Sequence, residues 1–249
     1  MRNRRAIYFR NGGMKTVAII PAGGTGRRMG GEIPKQYLLL AGISVLAHTL
    51  SAFQRSPLID EIILAVPEGD IAEVRQAVVE RYGFSRVRLI IAGGRERQDS
   101  VKNALAEVCD EHGVIVIHDG VRPFVTGDLI ERVVAGAKKY GAVSAGIPVR
   151  DTVKEVDEAG WVLRTVPRDG LWLTQTPQAF RREVILAAYQ RAAADGFYGT
   201  DDASLVERTA IPVRMILGDK DNIKVTTPED LAQGEKIVCW RKNENRVRL

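Results

Sequence analysis

Three cations beside a run of glycines are the first chemical signal in this chain. Arg27 and Arg28 sit inside Pro21-Ala22-Gly23-Gly24-Thr25-Gly26-Arg27-Arg28-Met29, and Lys35 follows in Pro34-Lys35-Gln36. Glycines at 23, 24 and 26 let the backbone come close to a ligand and turn its N–H groups toward one point, and such a nest of amides binds anions. A tight strand exit alone would leave two adjacent arginines and a lysine unexplained. The spacing excludes the two commonest phosphate loops. A Walker loop needs Gly-Lys-Ser/Thr four residues after its first glycine, whereas Lys35 follows Pro34. The dinucleotide fingerprint needs a third glycine where Met29 stands and an acid after the second strand, where the chain has Val66-Pro67. What remains is a loop whose amides at Ala22, Gly23, Gly24 and Gly26 hold a polyphosphate while Arg and Lys neutralise it, as suits transfer of a nucleotidyl group.

A second signal is His118-Asp119-Gly120-Val121-Arg122-Pro123, which follows the apolar run Val114-Ile115-Val116-Ile117. There Asp119 can meet the metal of a bound nucleotide. Locally it serves equally well as a plain turn-former. No Ser-His-Asp or Cys-His set competes. Cys109 and Cys239 are far apart and share no ligand spacing with His48, His112 or His118, so neither zinc nor a disulfide is expected and a reducing cytoplasm fits.

These residues need elements to hold them. Val17-Ala18-Ile19-Ile20 reads as a fully buried strand, and strands and helices then alternate. Helical spacing after a Ser44 cap gives one helix, Glu61 to Val66 a strand, Asp70 to Tyr82 a helix and Val87 to Ala92 a strand. A loop from Gly93 to Ser100 precedes a helix over Val101 to Val108. A helix capped by Thr126 ends near Tyr140-Gly141, and a strand over Val143 to Pro148 follows. Such alternation implies an α/β, Rossmann-like, mostly parallel sheet with helices on both faces and ligands at the carboxyl ends of its strands. The loops beginning at Pro21, Gly93 and His118 are therefore expected along one edge. Between Arg150 and Trp172 the pattern breaks into a polar β-hairpin arm, turning at Glu158-Ala159-Gly160, that needs the domain or a second subunit to lean on. Beyond it come Gln175 to Phe180, a helix over Arg181 to Ala194, a short helix opened by Tyr198 to Ser204, a strand over Val213 to Leu217, and a helix capped by Thr227 with Pro228 first.

Composition narrows the class. The chain has 249 residues, 45% of them hydrophobic, and no run long enough to span a bilayer. Its formal charge is +5, but Arg2, Arg4, Arg5 and Arg10 lie in an acid-free start, and without those four about +1 is left. Neither nucleic acid nor a membrane is expected as partner. Residues 1–13 read as a disordered extension ahead of Met14 as the natural start, 14–240 as one domain with its arm at about 150–172, and 241–249 as a tail.

The motifs together closely resemble the 2-C-methyl-D-erythritol 4-phosphate cytidylyltransferase family. They are the glycine loop with Pro34-Lys35-Gln36-Tyr37, Gly94-x-Glu96-Arg97-x-Asp99-Ser100-Val101, His118-Asp119-x-x-Arg122-Pro123, Pro148-Val149-Arg150-Asp151-Thr152, Thr176-Pro177-Gln178 and Asp221-Asn222-Ile223-Lys224-Val225-Thr226. The likeness runs in order from about Met14 to Val238. It implies synthesis of CDP-methylerythritol and pyrophosphate from CTP and methylerythritol phosphate, in the non-mevalonate isoprenoid pathway, with magnesium or another divalent cation. It makes Arg28 and Lys35 stabilisers of charge on the α-phosphate and Arg168 and Lys224 positioners of the substrate phosphate. Thr152, Thr176, Thr200 and Arg122 stand nearby, Gly94 and Ser100 serve the cytosine, and Asp119 serves the metal. It also implies a homodimer clasped through the arm. Arg95 stands where some members carry an acid, so no contact of that side chain is carried over. A pentitol phosphate cytidylyltransferase of the ribitol kind is the alternative within the class, and a non-catalytic nucleotide sensor the alternative outside it. The cyclodiphosphate synthase domain fused to some relatives is not expected.

Overall fold

Val17, Ala18, Ile19 and Ile20 offer no polar face, so a strand built from them must be covered on both sides. The computed structural model describes residues 14–24 and 34–247, with only the backbone for the last few, and in it all four are fully buried. The extension before Met14, and with it Gly26, Arg27 and Arg28 of the glycine loop, lies outside the described residues. In chain order the elements are β1 (Lys15–Pro21), the ribbon β2 (Leu39–Leu40) and β3 (Ile43–Ser44), α1 (Val45–Arg55), β4 (Glu61–Val66), α2 (Ile71–Val74), β5 (Val87–Ala92), α3 (Arg97–Ala106), β6 (His112–Ile117), α4 (Gly127–Tyr140), β7 (Ala142–Pro148), β8 (Val153–Val156), β9 (Val162–Val166), β10 (Trp172–Arg181), α5 (Arg182–Ala194), α6 (Asp202–Glu207), β11 (Arg214–Leu217) and α7 (Pro228–Val247). The expected caps form, with Ser44 accepting from the Ala47 amide and Thr126 from that of Leu129.

The main sheet has seven strands in the order β11-β7-β10-β6-β1-β4-β5 among the described residues. Pairing is parallel throughout except at β10, which runs antiparallel to both β6 and β7. The alternating faces of the strands separate two cores. Ala18, Ile20, Ile62 and Leu64 meet α1, α2 and α4 through Leu50, Phe53, Val74 and Val133. Val17, Ile19 and Ile63 meet α3, α5 and α6 through Val101, Leu105, Ile185 and Leu205. The sheet is α/β, mostly parallel and covered on both faces, as the alternation requires.

Three elements differ from expectation. The segment Gln175 to Phe180, not assigned above, is the inner half of β10. Its two glutamines, Thr176 and Pro177 hide the strand signal, and the pairing with β7 shifts between Thr174 and Gln178. A strand that carries polar side chains at such a break can bend them toward a cleft. Helix α3 begins at Arg97 rather than Val101, because Glu96 and Asp99 form a reciprocal capping box. The segment from 241, read as a tail, is instead the end of α7, where the Arg241 guanidinium donates to the Phe124 carbonyl at 3.1 Å.

The opposite edge of the sheet gathers Glu61, Glu111 and His112 within 4.8 Å of one another. Here Lys15 Nζ reaches Glu61 at 3.0 Å and Glu111 at 2.7 Å, and Arg88 reaches Glu61 at 2.6 Å. The His112 Nδ1 accepts from the Cys109 amide, so its Nε2–H donates to Glu61. The group is an ion-pair network fastening the starts of β1, β4 and β6. On the functional side, the Phe53 ring packs 5.1 Å from the His118 imidazole. Truncating it, as Phe53→Ala, should cost about 3–5 kcal/mol, measured as the change in unfolding free energy by urea titration.

Candidate active site

At the carboxyl ends of β1, β5 and β6 the backbone leaves the sheet through the three loops named above. They line one cavity of about 290 Å³ whose walls include Ala22, Gly23, Gly24, Lys35, Gly94, Ser100, Asp119 and Lys224. A second cavity of about 230 Å³ is walled by Arg122, Thr176, Thr200 and Asp201 together with Arg97, Asp119 and Lys224. The last three line both cavities, so the cation cluster around Asp119 is where their contents meet.

Local packing fixes that junction. The His118 amide donates to Ile19 O and the Gly120 amide to Pro21 O, so the turn continues the β1–β6 pairing past the strand ends. The Asp119 amide donates to Thr176 Oγ1 at 3.1 Å. His118 is fully buried, and desolvation pushes its imidazole down to about 4, leaving it neutral. Because a carbonyl can only accept, it is the Nε2–H that donates to Arg122 O at 3.0 Å and holds the turn closed. His118 is thus a support for the turn, with no proton to exchange near neutrality.

The Asp119 carboxylate is buried among three cations. Arg97 Nε donates to Oδ1 at 2.8 Å, Lys224 Nζ lies 2.9 Å from Oδ2, and Arg122 Nε lies 3.7 Å from Oδ2. Burial alone would push this carboxyl up, but the charges of Arg97, Lys224 and Arg122 outweigh it and hold it well below the usual range. It is an anion at any working pH. Lys224 is held there by its loop: the Val225 amide donates to Val121 O, Arg122 Nη1 to Asn222 O at 2.8 Å, and Asn222 Nδ2 to Thr176 O at 2.7 Å.

On the other wall, the Gly94 amide donates to Ser100 Oγ at 3.0 Å, and that hydroxyl donates to Glu96 O at 3.2 Å. Ser100 thereby shapes the loop as well as lining the cavity. Lys35 lies across Gly24, where a Cβ would come 3.3 Å from its Cε.

Of the residues singled out from sequence, Ala22, Gly23, Gly24, Lys35, Gly94, Ser100, Asp119 and Lys224 come together in the first cavity, and Arg122, Thr176 and Thr200 join in the second. Gly26 and Arg28 lie outside the described residues. Thr152 and Arg168 line neither cavity: both are exposed at the root of the arm, where an Arg168 guanidinium nitrogen donates to Arg150 O. Arg97 received no role above. Its signal in the sequence was its place in the motif Gly94-x-Glu96-Arg97-x-Asp99-Ser100.

A glycine-lined phosphate cavity sharing a cation cluster with a second polar cavity suits a nucleotidyl transferase. The profile of the 2-C-methyl-D-erythritol 4-phosphate cytidylyltransferase (IspD) family matches residues 16–239. The chain belongs to that family. Its relatives include the 2-C-methyl-D-erythritol 4-phosphate cytidylyltransferases of Syntrophus aciditrophicus, 52% identical over 94% of this chain and 99% of that one, and of Geobacter metallireducens, 51% identical over 90% and 98%. Among solved structures, the 4-diphosphocytidyl-2C-methyl-D-erythritol synthase of Anaerococcus prevotii superposes with a TM-score of 0.79 at 32% identity, covering 91% of this chain and 96% of that one. The cytidylyltransferase of Thermus thermophilus superposes at 0.76 and 31%, covering 90% and 98%.

The family assignment makes the role of Gly94 testable. A Cβ at Gly94 would lie 2.2 Å from the Asp99 Cβ and 3.0 Å from its carbonyl carbon, so Gly94→Ala must displace either the loop or the start of α3. Overpacking of that kind typically costs about 1–3 kcal/mol, and CTP affinity should fall about tenfold or more. Calorimetric titration with CTP measures it, and an unchanged circular dichroism spectrum shows that the loss is local.

Proposed function

We propose that the protein transfers CMP from CTP to 2-C-methyl-D-erythritol 4-phosphate, releasing pyrophosphate, as a cytoplasmic step of isoprenoid biosynthesis. The observation that carries this reading is the meeting of the two cavities at Arg97, Asp119 and Lys224. CTP occupies the larger cavity, with its phosphates on the amides of Gly23 and Gly24 and on Lys35 and its base toward Gly94 and Ser100; the Ala22 amide, grouped with them from sequence, instead donates to Ala65 O at 2.7 Å. The substrate phosphate occupies the smaller one, among Arg122, Thr176, Thr200 and Lys224. An oxygen of that phosphate then faces the α-phosphorus. It forms a new P–O bond in line while the bond to the β-phosphate breaks and pyrophosphate departs. Such a displacement needs positioning and charge neutralisation rather than a covalent nucleophile. Lys35 supplies neutralisation from the glycine-loop side, and by family likeness Arg28 does so with it.

The donor set fits a divalent cation that arrives with the nucleotide. Among the described residues, the acids in the larger cavity are Asp119 and Glu96, and magnesium is commonly held by one or two carboxylates plus substrate phosphates. Asp119 would hold it, and the bound ion would neutralise phosphate charge. The exposed cysteines, both free, suit a reducing cytoplasm.

The arm supports a homodimer. Among the described residues strands β8 and β9 pair only with each other, and Trp161, Val162 and Leu163 are 75%, 58% and 61% exposed on them or at their turn. A two-stranded ribbon is marginal alone, and a twofold partner would cover that surface. Arg168 and Thr152, at the root of the arm, would then complete the partner's substrate cavity.

CTP with methylerythritol phosphate and magnesium should release pyrophosphate faster than CTP with ribitol phosphate. Lys35→Ala should lower kcat by about 10²–10³ without unfolding the protein, whereas a change confined to KM would mean uniform binding. For the arm, Lys35→Ala and Arg168→Ala subunits should complement each other after exchange. Random pairing makes half the dimers mixed, each with one intact site, so about a quarter of the original activity should return. Verified mixed dimers that restore nothing would place Arg168 in its own subunit's site.

A further inference from the structure

Three successive residues of α3's first turn reach across to one segment on the substrate side. Arg97 Nη2 lies 2.8 Å from Asp202 Oδ2 at the start of α6. The Gln98 side-chain amide donates from Nε2 to Phe197 O at 2.9 Å and accepts at Oε1 from the Gly199 amide, also at 2.9 Å. The Tyr198 hydroxyl donates to Asp99 Oδ1 at 2.9 Å, on the exposed side of the seam. Of the three, Arg97 also holds Asp119 and lines both cavities, and Asp99 belongs to the helix cap. Gln98 does neither. Its two bonds grip the backbone on either side of Tyr198, and the second of them holds Gly199, the residue directly before Thr200 in the wall of the smaller cavity.

The geometry points to Gln98 as a positioning residue for the substrate phosphate, acting through the 197–200 segment and Thr200. This rests on the proposed placement of that phosphate in the smaller cavity. Gln98 stands at a free position of the motif Gly94-x-Glu96-Arg97-x-Asp99-Ser100, so the family's shared residues do not supply its role. The segment it holds is a connection between α5 and α6 rather than part of the sheet. A side chain that satisfies one backbone acceptor and one backbone donor there restricts the conformations Thr200 can visit. Without that restraint only a fraction of molecules would present Thr200 in the binding position, and the apparent affinity for the sugar phosphate would fall by that fraction. Turnover at saturation would not fall, because bound substrate selects the competent form. The CTP wall, held by Ser100 and Gly94, would be untouched.

The test is Gln98→Met, which keeps the side-chain length and removes both hydrogen bonds, assayed by pyrophosphate release. KM for methylerythritol phosphate should rise about tenfold, with kcat and KM for CTP within about twofold of the original. A purely structural glue would instead raise both KM values or lower kcat and the melting temperature, and either result overturns the inference. So does an unchanged KM for methylerythritol phosphate. Combining Gln98→Met with Thr200→Val separates the route of action: if Gln98 works through Thr200, the double variant raises KM by clearly less than the product of the single effects. A full product overturns it. Failure of the unaltered protein to use methylerythritol phosphate at all would instead remove the substrate reading itself.

Discussion

One buried carboxylate with three cations around it sets the geometry of this protein's cleft. Bringing Asp119, Arg97, Lys224 and Arg122 together strips water from the carboxylate and much of it from Arg122, and the attraction gained roughly offsets that loss. The cluster is therefore weak evidence for stability and strong evidence for placement. Arg97 comes from the helix after β5, Asp119 and Arg122 from the turn after β6, and Lys224 from the loop after β11. Their shared anion draws three loops, distant in sequence, to one point between two cavities. In the proposed reaction a net positive junction there would favour two phosphates that otherwise repel each other, the repulsion that in-line transfer between them must overcome.

The sheet makes such convergence possible by placing its parallel strands' carboxyl ends side by side. The exception, antiparallel β10, matters as much. It enters the cleft from the arm and lays Thr176 against the Asp119 amide inside the stretch, between Thr174 and Gln178, where its register against β7 shifts. Gln175 Nε2 then donates to Asp219 O at 2.8 Å, and Asn222 to Thr176 O, so the break in β10 seats the loop that carries Lys224. The same strand connects the exposed arm to the smaller cavity.

How much of this was legible in the sequence depended on whether a residue's role is local. The apolar runs of β1, β4 and β6 and the caps at Ser44 and Thr126 act within a few residues, and their pattern states what they do. The glycine loop and the His118-Asp119 turn were legible for the same reason, since each follows directly on a buried strand. The inner half of β10 was not, because its polar side chains face the cleft and cancel the strand signal. Helix α3 was placed four residues late because its first turn is polar and its cap is made by two acids, a weaker signal than a Ser or Thr cap. Arg97 gains its meaning only from Asp119, twenty-two residues on, and from Asp202, beyond a hundred. Thr152 and Arg168 carried family likeness in sequence, yet within one chain they stay on the exposed arm.

Asp119→Asn tests the organising role of this carboxylate most directly, because the amide keeps the shape and removes the charge that gathers the three cations. Pyrophosphate release should be followed under saturating CTP, methylerythritol phosphate and magnesium, with folding checked by circular dichroism. Losing the anion should let Lys224 and Arg122 drift from the junction and lower kcat by about 10² or more in a folded protein. Turnover within about threefold of the unaltered protein would show that the cluster is not what brings the two phosphates together.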